Sequence, residues 1–442
     1  MNSEWRGFKV GDLCTVTSSK RIFAHDYVDD GIPFYASKDV IDKALGLFSG
    51  ATVYISKDRF YEVSRKFGYP LAGDLLLSSV GNRAGISYVV REEGEFYFKD
   101  GNITWFKDFS LLNSSFFYYW LKSEFGQSAL KSIMIGSAQK ALTISGLLGL
   151  EIKVPSLKVQ GEIVSILKSL DDRINLLRET SFTLEGIAQA LFKSWFVEFD
   201  PVRAKAEGLE PECMDRATAA LFPNSFEDSE LGLVPSSWKT LSLEDAYDIN
   251  PRRKLKKGEM APYLDMASVG TQGHVVNGVI EREMTSGTKF VSGDTLLARI
   301  TPCLENGKSA FVDFLSDDQV GWGSTEFVVL RPKAPLPAYH GYLLARHSGF
   351  REYAIRSMSG SSGRQRVQID VLGRYLVIVP SKEIADVFGS IVGSLQQRIS
   401  ANDKQAKCLT QLRDTLLPRL ISGQLRLPEA TAATEKILSE AV

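Results

Sequence analysis

The chain repeats itself, and the repeat constrains its architecture more than any other feature. The segment Leu71-Ala72-Gly73-Asp74-Leu75-Leu76-Leu77 returns as Val291-Ser292-Gly293-Asp294-Thr295-Leu296-Leu297, an offset of 220 residues. In both copies a Gly-Asp turn leads into a short apolar strand. Further on, Leu150-Glu151-Ile152-Lys153-Val154-Pro155-Ser156 returns as Tyr375-Leu376-Val377-Ile378-Val379-Pro380-Ser381, now at an offset of 225. There the proline closes a strand and the next residues open a helix. Two copies of one mixed unit follow, rather than one large core, which suits a chain of 442 residues.

Each proline is followed by an apolar heptad. In the first helix Ile163, Leu167, Leu170, Ile174, Leu177, Leu184, Ala188 and Leu191 keep the 4,3 spacing of an a/d seam, interrupted at Ser181. Adding 225 lands on Phe388, Val392, Leu395, Ile399, Asn402, Leu409, Arg413 and Leu416, with Leu412 one step from the seam. A lone helix of this kind reads as an amphipathic helix packed on its own domain. Recurrence in register instead predicts that the two helices bury their seams against each other, antiparallel, with pseudo-two-fold symmetry.

The expected fold class is therefore α+β: two mixed α/β domains separated by two long antiparallel coiled-coil helices, with an internal pseudo-two-fold repeat. The expected boundaries are a first domain over 1–155, a central spacer helix over 156–197 and a connector over 198–235. A second domain over 236–380, a C-terminal spacer helix over 381–423 and a flexible tail over 424–442 complete the chain. Trp5 and Trp238 stand near the two domain starts, and the connector is rich in Pro, Glu, Asp, Ser and Ala.

Recognisable catalytic parts are missing. An adenine methyltransferase needs an N/D-P-P-Y/F motif, and the nearest string, Phe199-Asp200-Pro201-Val202, lacks the second proline and the aromatic. Gly307-Lys308-Ser309 resembles the end of a phosphate-binding loop, but Pro302 stands where its first glycine belongs. The four histidines, His25, His274, His340 and His347, have no metal-ligand spacing, so no metal site is expected. Cys14, Cys213, Cys303 and Cys408 lie far apart, which fits a reducing cytoplasm better than a disulfide framework. Met1 to Val10 carries charges and a tryptophan where a signal peptide needs an apolar core, and no membrane contact is expected.

What recurs is cationic and amide-bearing residues in loops, the groups that neutralise phosphates and bond to base edges. The formal net charge is only -1, so any basic surface must be local. In the first half the DNA-binding candidates are Lys20, Arg21, Arg65, Lys66, Asn82, Arg83, Ser137, Gln139 and Lys140. In the second they are Arg252, Arg253, Lys254, Lys256, Lys257, Arg299, Ser362, Arg364, Gln365 and Arg366. Gln139-Lys140 and Arg364-Gln365 occupy equivalent positions of the repeat.

The string Ala190-Leu191-Phe192-Lys193-Ser194-Trp195-Phe196-Val197-Glu198-Phe199-Asp200-Pro201-Val202-Arg203-Ala204-Lys205 resembles the link between central helix and second domain in the specificity subunits of type I restriction-modification enzymes. Leu221-Phe222-Pro223, the stretch Ser229 to Trp238, and Leu417-Pro418-Arg419-Leu420-Ile421-Ser422-Gly423 resemble further landmarks of that family, so the likeness covers nearly the whole chain. It implies two target-recognition domains, each reading half of a split double-stranded DNA sequence. It also implies a cytoplasmic, non-catalytic chain without a cofactor of its own. Two modification subunits carrying S-adenosylmethionine would dock at the helices, and restriction subunits using ATP and Mg would join them. The alternatives are a methyltransferase or nuclease with an unrecognised site, and a coiled-coil adaptor that reads no DNA.

A seam from Ile163 to Leu191 is about 29 residues, or ~43 Å at ~1.5 Å per residue. Domains at opposite ends of such a helix would sit about 12 or 13 base pairs apart at ~3.4 Å per pair. The expected target is two different short half-sites separated by on the order of 5 to 8 unspecified base pairs.

Overall fold

The computed structural model describes residues 5–46, 48, 50–136, 140–361, 363–425 and 427–440. The chain divides into two compact units, Met1–Ile174 with Lys407–Val442, and Asn175–Ala406. Each unit contains one mixed module and one stretch of each long helix.

The first module is built on an antiparallel sheet in the order Thr15–Thr17, Ile103–Lys107, Leu75–Ser78, Ser87–Val89. Leu75, Leu76 and Leu77 are all buried, because this strand is covered on both faces and needs no polar alternation. A second sheet runs Tyr27–Val28, Tyr54–Ile55, Ile32–Tyr35, Tyr97–Phe98, its last pair parallel. Strands Arg6–Lys9 and Glu151–Val154 close the module.

The second module repeats this plan. Its antiparallel sheet runs Tyr247–Ile249, Phe327–Pro332, Thr295–Ala298, Ser309–Phe311. The companion sheet runs Ile280–Glu283, Met260–Leu264, Gly321–Gly323, Thr288–Phe290 and also contains one parallel pair. Lys239–Ser242 and Leu376–Val379 close it. The Gly-Asp turns are equivalent in detail: Asp74 Oδ2 accepts from the Leu71 amide at 2.9 Å, and Asp294 Oδ2 from the Val291 amide at 2.9 Å. Gly73 and Gly293 adopt φ of +93° and +83°, which explains why glycine precedes the aspartate in both copies.

The central helix, Leu157–Lys193, has 37 residues, and the C-terminal helix, Lys382–Ile421, has 40. At ~1.5 Å per residue they are about 55 and 60 Å long, longer than the seam alone implied. In the second unit Asn402 Nδ2 donates to Ser181 Oγ at 3.3 Å, while the rings of Trp195 and Phe388 meet at 5.6 Å. Central residue numbers rise as C-terminal ones fall, so the pairing is antiparallel. In the first unit Arg413 Nη1 donates to Asp171 Oδ1 at 2.6 Å. The polar interruptions of the seams, Ser181, Asn402 and Arg413, thus face polar partners.

The seam of the central helix differs from the expected one beyond Ser181. Ile163, Leu167, Leu170, Ile174 and Leu177 are buried, but Leu184 and Leu191 are only half-buried. The buried positions there are Glu185, Ala188, Phe192 and Trp195. Two consecutive steps of four, from Leu177 to Ser181 to Glu185, shift the stripe by one residue, the local change that a stutter makes in a heptad. The C-terminal helix keeps regular 4,3 spacing through Phe388, Val392, Leu395, Ile399, Asn402, Ala406, Leu409, Arg413 and Leu416.

Two other segments are more ordered than their composition suggested. A π-type turn at Ser194–Glu198 ends the central helix, and the connector then holds helices Asp200–Ala206 and Arg216–Leu221 and a hairpin of Phe226–Ser229 with Gly232–Pro235. Its Phe199, Val202, Phe222 and Val234 join Trp195, Phe196 and Trp238 in one buried cluster. Lys205 Nζ donates to the Ala219 carbonyl at 2.9 Å, supplying a partner at the end of the second connector helix. The segment expected to be a flexible tail forms a helix over Leu427–Glu440 with Ala430 buried. Pro428 falls in its first turn, where no amide is needed, and Ala, Leu and Glu favour the helix that follows.

Candidate nucleic-acid interface

In each module the chain leaves the inner strand of the main sheet into a loop that has to satisfy its backbone groups elsewhere. It does so by crossing a second loop that comes just before the module's closing strand. Isolated antiparallel bridges join Val80 to Ala141 and Ile300 to Arg366. At the first crossing the Gly81 amide donates to the Lys140 carbonyl at 2.9 Å, and the Leu142 amide to the Ser79 carbonyl at 2.8 Å. At the second the Thr301 amide donates to the Gln365 carbonyl at 3.0 Å, and the Val367 amide to the Arg299 carbonyl at 2.8 Å. A third bond completes each frame, from the Ser79 amide to the Asn102 carbonyl at 2.8 Å and from the Arg299 amide to the Glu326 carbonyl at 2.9 Å. The backbone pattern is the same in both modules.

The side chains on the two frames differ. At Ser79, Asn102 and Ala141 the first module carries small or neutral groups, and Ser79 Oγ is spent on Thr104 Oγ1 at 2.6 Å. Its exposed polar groups include Asn82, Arg83, Asn102 and Lys140, with Arg83 Nη1 3.9 Å from Asp42. The equivalent positions of the second module are Arg299, Glu326 and Arg366. Arg366 grips Glu326 from the side, Nε donating to Oε2 at 2.9 Å and Nη2 to Oε1 at 2.6 Å. Arg299 Nε lies 3.5 Å from Glu326 Oε2. The hydrogen bond from Arg366 and the positive charges of both arginines hold the Glu326 carboxyl below the usual range, against a smaller opposing effect of burial. Arg364 is exposed in the turn leading into this crossing, and the Gln365 amide donates to Thr301 Oγ1 at 3.1 Å.

The other candidates fall elsewhere. Lys20 Nζ sits 4.6 Å over the Phe67 ring, next to Arg65 and Lys66 at the end of helix Lys57–Phe67, so these three cations form a second basic group on the first module. Arg21 faces Asp100 at 3.4 Å. Arg252, Lys254, Lys256 and Lys257 are exposed, but Arg253 points inward. Its Nη2 donates to the fully buried Asp294 at 3.2 Å, alongside Arg331 Nη1 at 2.7 Å. Arg253 therefore neutralises the Gly-Asp turn and offers little to a ligand. Ser137, Gln139 and Ser362 lie outside the described residues.

Glu326, Asn102 and Thr301 were not singled out from the sequence. Extending the repeat would have found the first two, since Asn102 immediately precedes strand Ile103–Lys107 and Glu326 precedes Phe327–Pro332. Among the described residues no group of His, Cys, Asp and Glu is placed to hold a metal ion, and no helix is long and apolar enough to cross a membrane. His340, buried, is pushed down to about 3 by loss of solvation, and its Nδ1 is paired with the Tyr247 hydroxyl in the core.

A duplicated module with one backbone frame and two sets of surface side chains, attached to a pair of long antiparallel helices, defines a recognition scaffold. Comparison with known proteins narrows the class. Residues 2–185 match the family described as Type I restriction modification DNA specificity domain. The chain is 26% identical to the type I restriction enzyme HindI specificity subunit of Haemophilus influenzae over 341 residues, covering 64% of this chain and 71% of that protein. It is also 26% identical to the MjaIX specificity subunit of Methanocaldococcus jannaschii over 447 residues, covering 96% and 94% of the two chains. A crystal structure of the type I restriction-modification S subunit from M. genitalium shares the fold, with a TM-score of 0.57, 15% identity and coverage of 95% and 97%. The chain is thus similar along nearly its whole length to specificity subunits of type I restriction-modification enzymes, and its first 185 residues carry the match to the specificity-domain family.

Proposed function

We propose that this chain gives a type I restriction-modification complex its DNA sequence specificity, each module reading one half of an asymmetric split target. The observation that carries this reading is the repeated loop crossing, whose backbone frame is constant while the side chains at its three corners change. A scaffold that must present different readers in the same pose needs that arrangement. The chain itself carries out no chemistry in this reading. Methyl transfer to adenine falls to two modification subunits with bound S-adenosylmethionine, docked on the long helices, and cleavage falls to restriction subunits using ATP and Mg. All of this takes place in the cytoplasm.

The helices act as a ruler for the unspecified gap. Removing one heptad from both shortens them by ~10 Å, or about 3 base pairs. The test is sequencing for methyladenine in cells that express the chain with its modification subunits. A split motif with a fixed gap supports the reading, and the heptad deletion should shorten that gap. Absence of new methylation despite a stable complex would sink the proposal.

A further inference from the structure

The corner residues of the second crossing are more than a patch of positive charge. We infer that Arg366, held by Glu326, reads the major-groove edge of a guanine in the half-site of the second module, with Arg299 beside it. This inference rests on the specificity reading above and names the residues that would carry it.

The argument begins with how the guanidinium is used. Of its five N–H hydrogens, the side-on grip of Glu326 takes those of Nε and one of Nη2. The opposite edge, formed by Nη1 and the other Nη2 hydrogen, is a planar fork that matches the O6 and N7 acceptors of guanine. The Arg366 side chain is 43% exposed, so the fork reaches solvent, while Glu326 is 20% exposed and serves as its backing. A long side chain held in one pose has already lost rotamer freedom that binding would otherwise cost.

The carboxylate also discriminates between two possible targets. An arginine meant for a phosphate gains from being unpaired, whereas Glu326 places a negative charge beside Arg366 and Arg299 that a phosphate would meet. A guanine edge carries acceptors without a net charge and pays no such penalty. Glu326 is a positioning residue here and Arg366 the reader. The first module has Asn102 and Ala141 at the same corners and lacks this device, so the two half-sites should differ at that position.

The experiment compares methyladenine motifs from cells expressing the full complex with the wild-type chain, Arg366→Ala, Arg366→Lys and Glu326→Gln. Thermal melting of each purified chain is measured alongside. The wild type should give a split motif with a G·C pair in one half-site. Arg366→Ala should relax that single position, discrimination falling roughly ten- to a hundredfold, with the other half-site unchanged. Arg366→Lys keeps the charge but loses the fork and should relax the same position, which decides the matter if the alanine variant fails to fold. Glu326→Gln should relax it more weakly at an unchanged melting temperature. A uniform loss of methylation at every site in folded Arg366 variants would mean a phosphate contact and overturn the inference, as would an unaltered motif. A wild-type complex that yields no split motif would instead overturn the underlying specificity reading, and this inference with it.

Discussion

The two modules share a fold and a loop frame but are fastened to the long helices by different chemistry. The first is held by one buried neutral side chain and one partly exposed ion pair. Gln160, buried at the start of the central helix, accepts from the Asn113 amide at 2.7 Å and donates to the Leu111 carbonyl at 3.0 Å. Tyr119 donates to Asp171 at 2.9 Å, where Arg413 arrives from the C-terminal helix. The second is held by buried ionisable groups. Glu185 of the central helix accepts from the Tyr342 hydroxyl at 2.7 Å and lies 3.8 Å from Arg346 Nε. Asp313 meets His274 Nε2 at 3.1 Å and accepts from Gln396 of the C-terminal helix at 2.8 Å, and His274 Nδ1 pairs with the Tyr339 hydroxyl at 2.9 Å. Duplication preserved the strand plan and left the attachment free to diverge.

The largest test of this contrast is Glu185→Ala against Asp171→Ala. Losing Glu185 leaves Tyr342 and Arg346 in a buried site without its carboxylate, and the second unit should lose about 3 kcal/mol. Asp171→Ala should cost less, about 1 to 2 kcal/mol, because Arg413 also reaches Asp414 at 2.7 Å. Hydrogen exchange resolved over each unit measures both; equal losses would remove the contrast.

A pH titration sharpens it. Burial pulls the Asp313 carboxyl upward, but hydrogen bonds from His274, Ser400 and Gln396, with the His274 charge, leave it below its ordinary value. A carboxylate depressed in the folded state contributes stability above its unfolded pKa of about 4, and loses that contribution as pH falls through the folded value. The second unit should therefore weaken below about pH 4, and Asp313→Asn should flatten that part of its stability curve. An unchanged slope in the variant would assign the acid sensitivity to other carboxylates.

The smallest expected effect belongs to the exposed cations. Lys66→Ala removes a charge 3.9 Å from Glu62 on an exposed helix end, and melting should not change measurably. If the Lys20, Arg65 and Lys66 group neutralises phosphate, the slope of log affinity against log salt should fall by about one for this variant. An unchanged slope would remove the group from the interface.

The sequence made the duplication, two strands of each module and the helix pair legible because these rest on period, a Gly-Asp turn repeated at 220 residues and heptads in register at 225, while the orders of the sheets rest on pairings that no period announces. It misplaced the second half of the central seam because a glutamate is ordinarily exposed. Glu185 is buried only because Tyr342 and Arg346, more than 150 residues later, are there to receive it. Composition likewise made 198–235 look like a linker, although the aromatic residues among its polar ones pack into the core. The basic run 252–257 gave no hint that Arg253 turns inward, since its partner Asp294 is distant in sequence. The crossing was half visible, as equivalent basic loops. Its carboxylate was not, because acidic residues are not sought in a surface expected to meet DNA.

The loop crossings are pinned by main-chain hydrogen bonds, which do not depend on which side chains stand at their corners. Substitutions at Arg299, Glu326 or Arg366, or at Asn102 and Ala141 in the other copy, change what the surface presents without drawing on the bonds that hold it in place. On the proposed reading, a lineage carrying this chain would change its target by altering those corners one residue at a time, while the main-chain frame that presents them stays in place.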